Sequence, residues 1–430
     1  MIPRRDFVKF CAQAGITMPF LGSVYSLANT PANTTKHILL YSGWQTINIG
    51  DIGHTPGTLR YLYQYMPQVK VTVWLSASNN EVDAMLQNRF PKLNIVKGKL
   101  DEDGIFNSKE LQIAFNEADL FIYNSGMIFN QFWNPPVKLI QTIIKRDLKF
   151  CLYGQSFDGF KKEDEPFMSD LLSKASMIYT RDTDSFYYLR DIGFHPEILE
   201  FGPDGCFGID VKDDDKANTY LNVNGLVENE FITVTIRTNT PKIGSNGEIL
   251  SPKKPSKQEQ EQNELWAKKL REIIIDFIEK TKLKVLLVPE VNKEIVHAKT
   301  FIYDRLPNNI KENVVHRATF WNVDEAASVY SKAAVVLSME PHSCIIALAN
   351  GTPIIHAFSR KHGVKAWMFR DIGLSEWLFD IDNSDSALIT RELINIVNDQ
   401  KRSEKKVVRA MDFVNKRSGE MMSDINALLN

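Results

Sequence analysis

Cysteine is almost missing from this 430-residue chain. There are four, Cys11 near the start and Cys151, Cys206 and Cys344 far apart in the rest. That spacing builds neither a disulfide framework nor a thiolate metal motif, so buried structural thiols are expected. An excess of either charge is missing too: 51 Lys and Arg stand against 53 Asp and Glu, which leaves no basic footprint for nucleic acid. No apolar run reaches the roughly 20 residues that a membrane-spanning helix needs. Glycine and proline, 22 and 18 residues, are too few for a collagen-like or low-complexity chain. What is present, 43% hydrophobic and 24% charged residues, is ordinary for a soluble globular protein with core enough for two domains.

One local bias interrupts this balance. Arg4, Arg5 and Lys9 face only Asp6 at the N-terminus, and a weakly apolar stretch follows from Phe10 to Tyr25. Ser26-Leu27-Ala28 then offers the small residues a signal peptidase accepts. Basic, apolar and small segments in that order read as an export signal, and Arg-Arg-x-Phe-apolar-Lys is similar to a twin-arginine signal, with Pro3 where Ser or Thr is usual. An amphipathic N-terminal helix is the alternative. Export removes residues 1–28 and places the mature chain in the periplasm; without a signal, it is cytoplasmic.

Along the rest of the chain, apolar strands alternate with helical stretches, the pattern of parallel sheets covered by helices. Strands are expected at His37–Tyr41, Val69–Leu75, Leu120–Tyr123, Phe150–Tyr153 and Ser176–Tyr179, with a helix over Pro56–Tyr65 capped by Thr55. A second series is expected at Phe231–Ile236, Lys284–Val288, Val314–His316, Ala334–Leu337 and Pro353–His356. The organisation that follows is an N-terminal Rossmann-like domain over 29–210, an acidic linker over 211–229, a second Rossmann-like domain over 230–385 and C-terminal helices over 386–430. Thr238–Gln262, rich in Lys, Pro, Gln and Ser, reads as a long loop. Two facing doubly wound α/β domains bind ligands in the cleft at the carboxyl ends of their strands.

Four clusters fall at such strand ends. Asn48-Ile-Gly50-Asp51-Ile-Gly53-His54 is a glycine-rich turn that suits an approaching anion, or is a plain turn. Arg181-Asp182 with Ser185 is a ligand site or a structural ion pair and cap. Thr235-Ile-Arg237 ends the first strand of the second series with an arginine, whose planar fork can hold two oxygens of a carboxylate or phosphate. Ser338-Met-Glu340-Pro341-His342-Ser343 pairs a carboxylate with an imidazole at a helix start, a pairing that suits acid–base chemistry.

Together these clusters resemble the polysaccharide pyruvyl transferase family. Asn48, Gly50 and Asp51 match its Asn-x-Gly-Asp turn. Arg181, Asp182 and Ser185, followed by Leu189 and Gly193, match its Arg-Asp-x-x-Ser block. Thr235-Ile236-Arg237 matches its Ser-Ile-Arg strand end, and His342, Ala347, Gly351 and Pro353 match its C-terminal block. The resemblance implies a glycosyltransferase-B-like architecture and transfer of pyruvate from phosphoenolpyruvate onto two sugar hydroxyls as a ketal. It implies His342 as general acid; Glu340 and Asp51, read from their own clusters, are the further catalytic candidates. Asn48, Gly50, His54, Arg181, Arg237 and Ser343 would bind the saccharide and the donor, and no metal or organic cofactor is implied.

Two departures bear on the donor. Glu340 and Pro341 stand where the family has Arg and Leu, and a carboxylate repels an anionic donor unless Arg237, Arg360, Lys361 or Lys365 compensates. An exported enzyme is also separated from cytoplasmic phosphoenolpyruvate. Two other readings therefore stay open: an exported hydrolase of a pyruvate ketal or related acetal, using Glu340 and His342, and a non-catalytic saccharide-binding protein with Trp74, Trp133 and Trp321 as stacking surfaces or as packing.

Overall fold

Buried strands decide the architecture. The computed structural model describes residues 35–101, 103–129, 134–239 and 255–430; the export-signal residues and Trp133 lie outside them. The first sheet contains β1 (His37–Ser42), β2 (Lys70–Leu75), β3 (Asn94–Lys97), β4 (Leu120–Tyr123), β5 (Phe150–Gln155), β6 (Met177–Thr180) and β7 (Ile198–Phe201). The second contains β8 (Phe231–Thr235), β9 (Lys284–Leu287), β10 (Val314–His316), β11 (Val335–Ser338), β12 (Ile354–Phe358) and β13 (Leu378–Asp380). Every pairing between these strands is parallel.

The strand orders are β3-β2-β1-β4-β5-β6-β7 and β10-β9-β8-β11-β12-β13. Each reverses direction once, between β1 and β4 and between β8 and β11. Crevices for ligands open at those switch points, outside the carboxyl ends of the strands. Both doubly wound sheets expected from the sequence are therefore present, in the glycosyltransferase-B-like arrangement. Parallel strands are covered on both faces, so they read as continuous apolar runs. Ile38 and Leu40 enter one hydrophobic cluster that extends into the second sheet, whereas Leu39 enters another with Phe121, Leu152 and Ile178.

Three local expectations change. The helix placed at Pro56 begins at Ile49, capped by the Asn48 side chain on Gly50 N, and Pro56 lies inside it. Thr55 is not a cap; its hydroxyl bonds Ser42 Oγ at 2.7 Å. Asn124 Nδ2 bonds the His54 carbonyl at 3.0 Å, which anchors this helix to the end of β4. Within 211–229 the acidic residues start a helix, Asp214–Val223, with Asp213 as its cap and Ala217 and Leu221 buried. The stretch read as a loop up to Gln262 is helical from Lys257, where Ser256 and Glu259 form a capping box.

Cys151, Cys206 and Cys344 are buried free thiols. Trp74 and Trp321 are also buried, Trp321 with its indole N–H on the Pro289 carbonyl at 2.9 Å. They are packing residues and offer no surface to a sugar. No helix among the described residues is long and apolar enough to cross a membrane.

Lys36–Asn430 forms one compact unit. Its halves are aligned by main chain: Ile49 N donates to Glu290 O at 3.0 Å and Asn292 N to Ile47 O at 2.9 Å. The helix Gln400–Leu429, 30 residues long, then returns across the first half. Tyr61 OH donates to Asn415 Oδ1 at 3.1 Å, and Tyr179 OH to Asp424 Oδ2 at 2.6 Å.

Candidate active site

The two switch points bring the N-terminal and C-terminal motifs against each other. His54 lies in the helix after β1, and His342 lies in the first turn of helix Pro341–Ala349 after β11. Their Nε2 atoms are 3.1 Å apart, and both residues are buried. Gly50 makes this approach possible, because a β-carbon there would overlap the His342 imidazole. Gly57, one turn beyond His54, is required for the same reason: a β-carbon would overlap the Gly205 carbonyl.

A carboxylate stands behind each imidazole. Glu290, just past the end of β9, places Oε1 3.1 Å from His342 Nδ1. Its Oε2 accepts from the Ser343 amide at 2.6 Å and the Ser343 hydroxyl at 2.8 Å. On the other side, Asp204 Oδ1 lies 3.3 Å from His54 Nε2, and Oδ2 accepts from Arg181 Nη1 at 2.6 Å. Arg181 also donates to Ser156 Oγ at 2.8 Å. Asp182, beside it, caps helix Thr183–Asp191 through Ser185 N.

The electrostatics follow from this burial. Loss of water, with His54 adding to it, pushes the His342 imidazole down to about 3, so it is neutral at pH 7. Burial alone would raise the Asp204 carboxyl; His54 and then Arg181 overcome it and hold the group well below the usual carboxylate range. Burial raises the Glu290 carboxyl, against the opposing Ser343 donors. Glu294 is pushed much further up by burial and by the charges of Glu340 and Glu290. Its Oε2 accepts from Glu290 N at 2.8 Å and Val291 N at 3.0 Å, while Oε1 has no partner.

Arg237, at the end of β8, donates through Nη1 to Glu340 Oε2 at 2.7 Å. Arg237 also lines a small pocket with His356, His362 and Lys365. Burial, then Arg237 and Arg181, lower the Lys365 ammonium to about 8, which leaves it mostly charged at neutral pH. Arg360 is engaged elsewhere, 3.2 Å from Asp380, and Lys361 bonds Gln262. Asp51 accepts from Gln45, and Asn48 caps its own helix.

The sequence-derived residues thus divide. His54, His342, Gly50 and Ser343 converge in one buried cluster, while Arg237 and Glu340 pair beside it. Arg181 is 1% exposed and touches Asp204 rather than the cleft. Asn48 shapes the turn. Sequence reasoning missed Asp204, Glu290 and Glu294, and named Lys365 only among four cations that could offset Glu340. The signal for the first two was present: each is an acidic residue just beyond a strand, after Pro203 and Pro289 respectively.

The model of the polysaccharide pyruvyl transferase family matches residues 48–362. The chain belongs to that family. The matched span opens at the Asn48 turn and includes each of the four motif clusters. No curated protein matches the chain in sequence. Among solved structures, similarity extends to a putative UDP-N-acetylglucosamine 2-epimerase from Listeria monocytogenes, with 12% identity, 92% of this chain and 97% of that chain covered, and a TM-score of 0.56. It also extends to UDP-GlcNAc 2-epimerase from Neisseria meningitidis bound to UDP-GlcNAc, with 10% identity, 88% and 98% covered, and a TM-score of 0.51. A UDP-glucose:anthocyanidin 3-O-glucosyltransferase in complex with UDP matches at 9% identity over 92% and 99%, with a TM-score of 0.52. At these identities the likeness describes the shared fold of two Rossmann-like domains.

Proposed function

We propose that this protein transfers the pyruvyl group of phosphoenolpyruvate to two hydroxyls of a saccharide, forming a ketal and releasing phosphate. The observation that carries the reading is the meeting of the family's N-terminal turn and C-terminal histidine, Gly50 and His54 against His342, where both sheets open. One hydroxyl oxygen adds to the enol carbon as the methylene carbon gains a proton. The second oxygen displaces phosphate, which leaves with the other hydroxyl proton. The site must therefore take protons from oxygen and return one to carbon, and a neutral imidazole with carboxylates behind it suits both steps.

Arg237 and Lys365, beside the start of helix Pro341–Ala349, supply positive charge of the kind the donor's carboxylate and phosphate require. Trp44, half-buried beyond β1 and stacked on Tyr123, supplies an aromatic face for a saccharide. Glu340 is neutralised by Arg237, which removes much of the repulsion its charge would exert on an anionic donor. That pairing also counts against a hydrolase in which Glu340 acts as a free base. Transfer from phosphoenolpyruvate goes with a cytoplasmic location, where that donor is available; export through the Arg4-Arg5 segment goes instead with the hydrolase reading.

Purified protein is expected to release phosphate from phosphoenolpyruvate only when a saccharide acceptor is present. Pyruvate released from a pyruvylated glycan, without phosphate release from the donor, would overturn the transfer reading. Glu340→Gln frees Arg237 for the donor. After allowance for solvent around a half-buried arginine, about 1.4 kcal/mol of attraction, or about a tenfold fall in KM for phosphoenolpyruvate, is expected. A rise in KM would show that the donor needs the intact pair.

A further inference from the structure

We propose that His54 and Asp204, from the first half of the molecule, set the protonation of His342 in the second, so that Asp204–His54–His342–Glu290 operates as one proton-positioning chain. This rests on the reading of His342 as the group that handles the reaction's protons, and it assigns His54 a positioning role.

The tautomers follow from the partners. Glu290 Oε2 accepts from both Ser343 donors, the pattern of a carboxylate, which can only accept, so the nitrogen facing Oε1, His342 Nδ1, carries hydrogen. His342 Nε2 is then a lone pair. Two ring nitrogens 3.1 Å apart are hydrogen-bonded only when one of them donates, and the donor must be His54 Nε2. Asp204 Oδ1, 3.3 Å from the same nitrogen, favours that hydrogen. His54 Nδ1 is buried without a partner, and a lone pair there is less costly than an unpaired N–H.

The hydrogen stays on His54 Nε2, so His54 orients the His342 ring and makes its Nε2 lone pair less basic without itself passing a proton. The shared hydrogen lies between the two halves, so the chain is complete only while they are docked.

His54, His342 and Asp204 also bring three ligand-type atoms within 4.8 Å of one another, as a metal would require. Their bonding favours the proton chain. Asp204 Oδ1 already accepts from Cys206 N at 2.7 Å, and the buried Arg181 cation sits on Oδ2 at 2.6 Å, where it repels a second cation.

The test uses the full chain labelled with 15N-histidine, read by imidazole nitrogen shifts across pH, with kcat and KM measured on the same samples. Wild-type His342 should hold hydrogen on Nδ1. In His54→Leu its titration should move up by at least one pH unit, because a donor to its lone pair is lost. In the same variant kcat should fall roughly 100-fold at unchanged KM, the low end for a proton-transfer contribution. His54→Gln, whose amide N–H can replace Nε2–H, should restore both. Hydrogen on Nε2 of wild-type His342 would overturn the proposal with no variant needed. So would an unmoved titration in His54→Leu, or one equivalent of transition metal by mass spectrometry that is lost with His54. A moved titration in a protein that turns over no phosphoenolpyruvate would uphold the chain and remove the transferase reading.

Discussion

A chain ended at Asn398 should fail to fold into a soluble protein. The helix Gln400–Leu429 buries Val407, Val414, Met421, Met422, Ile425 and Leu429. At roughly 1.5–3 kcal/mol for each fully buried aliphatic side chain, their loss removes on the order of 10 kcal/mol, an upper estimate because unfolded chains bury some of this surface already. A whole domain is stable by only about 5–15 kcal/mol. The hydroxyls of Tyr61 and Tyr179 would also lose Asn415 and Asp424. Met421→Ala is the milder form: it opens a void beside Gly202 and Tyr179 and should cost roughly 2–5 kcal/mol. Expression, circular dichroism and urea unfolding measure both changes. A truncated chain that is soluble and melts cooperatively within a few degrees of the full one would show that this helix is an accessory.

Asp204→Asn should be the most damaging conservative substitution in the buried cluster. The amide keeps the shape and loses the charge, leaving the Arg181 guanidinium, 1% exposed, without a counterion. Breaking a buried pair on one side costs roughly 3–5 kcal/mol, whereas replacing both partners can be close to neutral. Urea unfolding of Asp204→Asn, Arg181→Met and the double variant forms the cycle. The double variant should recover at least half of the loss. A loss below about 1 kcal/mol in Asp204→Asn would mean that Arg181 finds water or another acceptor. The pH dependence has a definite sign. Asp204 is held below its unfolded value, so its contribution is complete above about pH 4 and disappears as pH falls further.

How far the amino-acid sequence discloses the molecule depends on burial and on separation along the chain. Interior strands such as β1, β4, β8 and β11 are uninterrupted apolar runs because both faces are covered. Three of the four edge strands, β3, β7 and β13, are three or four residues long and partly exposed and go unread; the fourth, β10, is as short but is read from the sequence. Thr55-Pro56 imitates a helix start. Asn48 takes that place because Asn124 and the close approach of Gly205 hold the preceding turn in the helix. His342 and Arg237 were legible because their types and strand-end positions are distinctive. For Asp204 and Glu290 the sequence marks only an acidic residue beyond a strand; their partners lie 150 and 52 residues away, and the folded chain alone brings them together.

The main-chain bonds between Ile47–Ile49 and Glu290–Asn292 have an evolutionary consequence. They hold the distance across the cleft without using the side chains that face it. Residues there, such as the paired Glu340 and Arg237, can therefore be exchanged while the frame stays in register. A cleft built this way can change its charge one position at a time without loosening the alignment of the two halves.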